Sequence, residues 1–411
     1  MQEHLKFVIV GHVDHGKSTL IGRLFYDTDS LPEEKIQEVR KTCEALGREM
    51  EFGFIMDQLE EERSQGITID TAQTFFKTGK RHYVIIDAPG HKEFVRNMIT
   101  GASQAEAALL IVDAKEGVRE QTKRHAYILG MLGLEQVIAL INKMDLVGYS
   151  QERFDEVTRD LKAFLGSLGI SPTFTIPISA RDGDNIARPC EHTPWYDGPT
   201  VLDALDTFTP RESALTRPLR FPIQDVYKVR DKRILVGRVE AGRIRQGDVV
   251  LFLPSGTRTK VTSVEMLWQD RTEADAGESI GITLADPLFV ERGAVACPTD
   301  SKPVITSKIR ANVFWMSKRP FTAKDNLLLR VATQEVLIQV AIEKKIDSSS
   351  LEPIPESPDQ VWETEVAQML IRAKAPIVVE NFNDIQELGR FVLVRDLDVV
   401  AGGIITHTEA E

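Results

Sequence analysis

The stretch Phe7-Val8-Ile9-Val10-Gly11-His12-Val13-Asp14-His15-Gly16-Lys17-Ser18-Thr19 decides how the chain reads. An apolar, β-branched run leads straight into a glycine-bracketed loop, and a helical pattern follows from Ser18 to Phe25. Strand, GxxxxGK[ST] and helix in that order predict a phosphate-binding loop. Its glycines let the chain wrap so that backbone N–H groups point at a β-phosphate. Lys17 then places a cation between β- and γ-phosphates, and the Ser18 hydroxyl offers a ligand to Mg²⁺.

Outward from that loop the theme repeats. Apolar runs at 83–86, 108–112, 137–141 and 173–178 alternate with helix-length segments. Continuous apolar strands separated by helices predict a mostly parallel sheet covered on both faces. The rhythm changes near Thr209-Pro210-Arg211-Glu212-Ser213, where a linker fits. Short period-two runs with glycine turns follow, such as Ile234-Leu235-Val236-Gly237-Arg238-Val239 and Val249-Val250-Leu251-Phe252, and predict a small antiparallel barrel. After a break at Asp300-Ser301-Lys302-Pro303, a second strand-rich block predicts another barrel.

The 411 residues carry 50 basic and 62 acidic side chains, a formal charge of −12, with 42% apolar content. That suits a globular protein of two or three domains, since a single core stops growing near ~250–300 residues. The apolar runs fall far short of the ~20 residues a membrane helix needs. No leader-like N-terminus is visible, so a cytoplasmic protein is expected. The acidic balance argues weakly against indiscriminate binding to phosphate backbones. Cys43, Cys190 and Cys297 show no CxxC spacing, so neither a disulfide framework nor a zinc site is expected from them, and Cys190 with His192 reads as an ordinary loop pair.

Three further motifs close runs of the same kind. Asp87-Ala88-Pro89-Gly90-His91 follows the strand 83–86. Asp87 is placed to hold magnesium through a water, and Gly90 lets an N–H approach the γ-phosphate. Asn142-Lys143-Met144-Asp145 ends the strand 137–141. The Asp145 carboxylate can accept from N1–H and the 2-amino group of guanine, a donor pair adenine lacks, so GTP is the predicted nucleotide. Asn142 is expected on the opposite edge of the base and the Lys143 stem over its face. Ser179-Ala180-Arg181 would supply backbone contacts to the guanine carbonyl, and by itself would read as a loop. Between these motifs, Thr68 in Gly66-Ile67-Thr68-Ile69 is either a strand threonine or a magnesium ligand present only with a γ-phosphate, and the second reading makes the segment a switch. His91 is the candidate to orient the attacking water, with Val13 and Ile67 as apolar neighbours limiting its access.

Together these motifs resemble the translation-factor class of GTPases, and Val236-Gly237-Arg238-Val239-Glu240-Ala241-Gly242 with Gly247-Asp248 looks like the second domain of elongation factors Tu and 1-alpha. The resemblance implies an α/β P-loop GTPase domain at 1–212 and two antiparallel β-barrels at 213–300 and 301–411, with GTP and Mg²⁺ bound. Within the class, other stretches look more like the GTPase subunit of sulfate adenylyltransferase. These include Asp113-Ala114-Lys115-Glu116-Gly117-Val118, Leu253-Pro254-Ser255-Gly256, Val313-Phe314-Trp315-Met316 and Gly402-Gly403. That branch implies a GTPase coupled to adenylyl sulfate formation by a small partner subunit, and it is the reading favoured here. His12-Val13-Asp14-His15 departs from it, because the sulfurylase subunit usually has Ser-Val-Asp-Asp there. The alternatives are a translation GTPase acting with aminoacyl-tRNA and the ribosome, and a nucleotide switch without productive turnover.

Overall fold

In the computed structural model the chain opens with β1 (His4–Gly11) and α1 (Lys17–Asp27), then β2 (Gln73–Lys77), β3 (His82–Ile86) and β4 (Ala107–Asp113). After these come α2 (Glu120–Met131), β5 (Gln136–Asn142), α3 (Gln151–Ser167), β6 (Phe174–Pro177) and α4 (Val201–Leu205). The structure describes residues 4–31, 37, 41, 52, 73–86, 105–134, 136–209, 214–229, 232–266, 269–355 and 359–408. They fall into two compact units, Met1–Pro210 and Arg211–Glu411.

The first unit is built on one six-stranded sheet in the order β2-β3-β1-β4-β5-β6. All its pairings are parallel except the antiparallel β2–β3 edge. Every residue of β4 is buried, which explains why its sequence is a continuous apolar run and not an alternating one. Leu5, Phe7 and Ile9 of β1 share a core with Leu20, Ile21 and Leu24 of α1. The opposite side chains, Val8 and Val10, are equally buried, and α2 packs on β1 and β4. In α3, Phe154, Val157, Leu161 and Leu165 form one buried stripe at helical spacing. The Ser150 side chain caps that helix by accepting from the Arg153 N–H, an arrangement that contributes ~1 kcal/mol. Because the strands run in parallel, the segments that follow β1, β4, β5 and β6 all leave from the same edge of the sheet, where α/β proteins bind ligands.

In the second unit, β7 (Phe221–Val229), β8 (Lys232–Arg238), β9 (Arg243–Arg245), β10 (Val249–Leu253), β11 (Thr257–Met266), β12 (Gln269–Arg271), β13 (Glu273–Asp275), β14 (Ser279–Leu284) and β15 (Val295–Cys297) come first. The order β10-β15-β7-β8-β14-β11 returns on itself through a β10–β11 pairing, so no edge is left between these six. Next come β16 (Val304–Trp315), β17 (Phe321–Thr322), β18 (Leu327–Val331), β19 (Gln334–Asp347), β20 (Gln360–Val361), β21 (Glu365–Val379), β22 (Arg390–Arg395) and β23 (Asp398–Thr408). Six of them close as β16-β21-β19-β18-β22-β23. Each barrel has its own apolar core. A third cluster, with Leu251, Leu253, Val295 and Cys297 from one barrel and Val378 and Leu388 from the other, joins them. Beside it the buried Arg220 guanidinium donates to Glu380 Oε1 at 2.6 Å and to Ser301 O at 3.0 Å. The predicted fold class thus matches the structure in both units. No helix among the described residues is long and apolar enough to cross a membrane.

Candidate functional site

The loop between β1 and α1 begins where side chains cannot fit. A Cβ on Gly11 would lie under 3.0 Å from Ile111 O on the neighbouring strand. At the other end Gly16 has φ +93°, in the left-handed region, and a Cβ there would strike the Asn142 amide. Between them Asp14 also has positive φ, +61°, and Asp tolerates this better than most residues. The Lys17 ammonium donates to Gly11 O and His12 O, each at 2.8 Å, so the cation is held across the loop's mouth. α1 has no side-chain cap and no acidic residue in its first turn, and Ser18 is exposed. Its first peptide N–H groups therefore face a space suited to an anion.

Asn142, at the end of β5, ties this loop to the segment after β6. Its amide donates to His15 O at 2.9 Å, and its carbonyl oxygen accepts from Ala180 N–H at 2.9 Å. The side chain is buried, and two of its hydrogen-bonding positions are spent on backbone. The expected contact with a base edge is left only its remaining amide capacity. Lys143 follows with φ +62°, and its ammonium lies 2.8 Å from Asp113 Oδ2 at the end of β4. Burial by itself would push the Asp113 carboxyl up, but the Lys143 ammonium and the Lys115 and Glu116 N–H groups outweigh it and hold the carboxyl below the usual range. Asp145 accepts from the Ser179 hydroxyl at 3.0 Å, and Arg181 lies 3.4 Å from its other oxygen.

The structure therefore brings Gly11, Asp14, His15, Gly16, Lys17, Ser18 and Thr19 to the same sheet edge as Asn142, Lys143, Asp145, Ser179, Ala180 and Arg181. Thr68, Asp87, Gly90 and His91 lie outside the described residues. Sequence reasoning did not single out Asp113 as the anchor of Lys143, although an aspartate at the end of a buried strand was a visible signal. It also gave no role to Arg23, whose guanidinium occupies the place a Gly183 Cβ would need and lies 5.0 Å from the Phe52 ring centroid.

Lys143→Met tests the anchor. It should lower stability by about 1–3 kcal/mol at pH 7, because a buried carboxylate loses its charged partner. Asp113 has a depressed folded-state pKa, so the native pair contributes stability above the unfolded value of ~3.9 and loses it as pH falls. The gap between wild type and variant in urea melts should thus narrow on acidification. A gap that widens would be inconsistent with this assignment.

Residues 2–211 match the family described as "Elongation factor Tu GTP binding domain", 232–297 "Elongation factor Tu domain 2", and 308–406 "GTP-eEF1A C-terminal domain-like". "Elongation factor 1-alpha" of Pyrococcus furiosus is 40% identical over 99% of this chain and 99% of its own length. The protein of that name from Methanopyrus kandleri is 41% identical, covering 100% of this chain and 99% of itself. These full-length likenesses overturn the reading as a sulfate adenylyltransferase GTPase subunit with a small partner subunit. The stretches that suggested it are largely scaffold. Val313, Phe314 and Trp315 are buried in β16, Leu253 ends β10, and a Cβ on Gly403 would clash with Phe391 and Asn312 O. Such residues report how barrels pack and say little about what they bind. The departure at His12-Val13-Asp14-His15 carried the better signal, and the chain belongs to the elongation factor Tu/1-alpha family of GTPases.

Proposed function

We propose that this chain is a cytoplasmic carrier of aminoacyl-tRNA that binds GTP with Mg²⁺ and hydrolyses the nucleotide on the ribosome. The observation that carries the nucleotide part is the Asn142 cross-link, which puts the phosphate loop and both guanine-side loops on one rigid frame. Lys17 and the loop N–H groups would hold the β- and γ-phosphates, and Asp145 would accept from guanine. Ser179, Ala180 and Arg181 would line the carbonyl side of the base, and the Lys143 stem, pinned at its far end by Asp113, would lie along its face. The donor set suits magnesium: Ser18 offers an exposed hydroxyl beside the uncapped helix end, and Thr68 and Asp87 are assigned as its further ligands. Magnesium, when bound, neutralises charge on the phosphate oxygens. His91 is assigned to orient the attacking water. The domain limits 1–212, 213–300 and 301–411 belong to the same reading, supported by the breaks on either side of β7–β15.

The aminoacyl-tRNA part draws on the family and on the first barrel. That barrel carries an open cavity of about 890 Å³, rimmed by the exposed Tyr227 and Val229 and by the Glu265 carboxylate. An aromatic face with a carboxylate nearby suits a stacked terminal nucleoside. With GTP bound, the chain should protect aminoacyl-tRNA from ester hydrolysis, and programmed ribosomes should accelerate phosphate release. Tyr227→Ala should weaken the protection while leaving GTP binding intact. Absence of both protection and ribosomal acceleration would reject the carrier reading.

A further inference from the structure

The phosphate loop holds two imidazoles whose ring nitrogens the nucleotide chemistry does not use. We propose that His12, His15 and Glu116 form a binding site for a divalent transition metal of the zinc class. One ligand atom from each lies within 4.8 Å of the others. His15 Nε2 and Glu116 Oε2 are 3.6 Å apart, near the ~3.4 Å edge of a tetrahedron with ~2.1 Å bonds. The two rings lie side by side, centroids 5.0 Å apart and tilted by 32°.

The surroundings orient the nitrogens. His12 Nδ1 lies 2.8 Å from Val13 O, so the proton sits on Nδ1 and the Nε2 lone pair is available. His15 Nδ1 accepts from the Asp113 N–H at 3.3 Å and also lies 3.4 Å from Ile111 O. A metal on Nε2 would put the ring proton on Nδ1, directed at Ile111 O in the manner common behind metal-bound histidines, in exchange for the bond from the Asp113 N–H. His15 Nε2 is buried and has no hydrogen-bond partner among the described residues. Glu116 is positioned from behind, since its N–H and that of Lys115 donate to Asp113 Oδ1 at 3.2 and 2.7 Å. Its side chain is 42% exposed, which leaves an entry path and a fourth position for water. Arg119, 3.4 Å from Glu116, would be displaced on binding. Two imidazoles and one carboxylate suit zinc or cobalt, whereas magnesium prefers oxygen alone, so this site is chemically distinct from the one at Ser18.

A metal here would pin the phosphate loop to the turn after β4 and slow GDP release. That consequence rests on the nucleotide reading above, while the binding itself does not. The test is a Co²⁺ titration of the metal-free full chain followed by visible absorption, with Zn²⁺ as competitor. One equivalent should give the intense bands of four-coordinate cobalt and lose them to Zn²⁺. Glu116→Gln and His12→Gln should each weaken binding on the order of tenfold or more. Glu116→Gln should bind fluorescent GDP like wild type. Absence of the cobalt spectrum in wild type, or unchanged affinity in both variants, overturns the site. Unchanged GDP release at saturating Zn²⁺ overturns the regulatory consequence, and failure of wild type to bind GDP overturns the nucleotide reading while leaving the metal result standing.

Discussion

Asp145→Asn is expected to lower GTP affinity by roughly a hundredfold or more and to raise preference for XTP. Two hydrogen bonds to a charged acceptor contribute ~1.5–3 kcal/mol each, and an asparagine can accept only through its oxygen. Its NH₂ group would instead meet the guanine 2-amino group, donor against donor. Xanthine carries a carbonyl at that position, so the same amide becomes complementary. The local frame loses the contact of the exposed Arg181 with Asp145 Oδ2, 3.4 Å away, but keeps its hydrogen bond at the other oxygen. Ser179 donates to Asp145 Oδ1 at 3.0 Å, and an asparagine oxygen keeps that acceptor. Equilibrium titrations with fluorescent GDP and XDP give the ratio directly. Wild-type GDP affinity in the variant would refute the assignment of Asp145 to the base.

Asn142→Ala should do wider damage. The amide joins a buried carbonyl, His15 O, to a buried N–H, that of Ala180, across segments far apart in the chain. Truncation leaves both without that partner, at ~1–3 kcal/mol each, so a loss of about 2–5 kcal/mol is expected. For a domain of this size that corresponds to a fall in Tm of roughly 5–15 °C. Nucleotide affinity should fall with it, because the phosphate loop loses its tie to the base-side loops. Thermal melts with and without added GDP separate the two effects. A variant with a wild-type melting temperature would show that the cross-link is not a support of the fold.

The sheet was legible because its strands are buried on both faces and so announce themselves as unbroken apolar runs, as in β4 and β5. The β1–loop–α1 unit was legible because glycine at 11 and 16 is required by close approach and by φ, and such demands leave marks in sequence. Closure of the first barrel was less so, since the β10–β15 and β15–β7 pairings join strands far apart in the chain, which an alternating pattern does not specify. Within the site, residue types were readable and partners were not. Asn142 was assigned to a base, yet its best-defined bonds go to backbone groups, which look alike in any sequence. Lys143 and Asp113 meet only because β4 and β5 are neighbours in register, with Asp113 opposite Asn142. The misleading stretches, such as Val313-Phe314-Trp315, misled because core residues are shared by any chain that builds the same barrel.

The buried Arg220–Glu380 pair, together with the apolar seam from Leu251 to Leu388, has a mechanical meaning. Separating the barrels would break that ion pair and bare a greasy surface, so the two barrels should travel as a single block. A displacement imposed at one barrel should then carry the other with it. A fragment cut near residue 300 would inherit half of that seam and tend to clump.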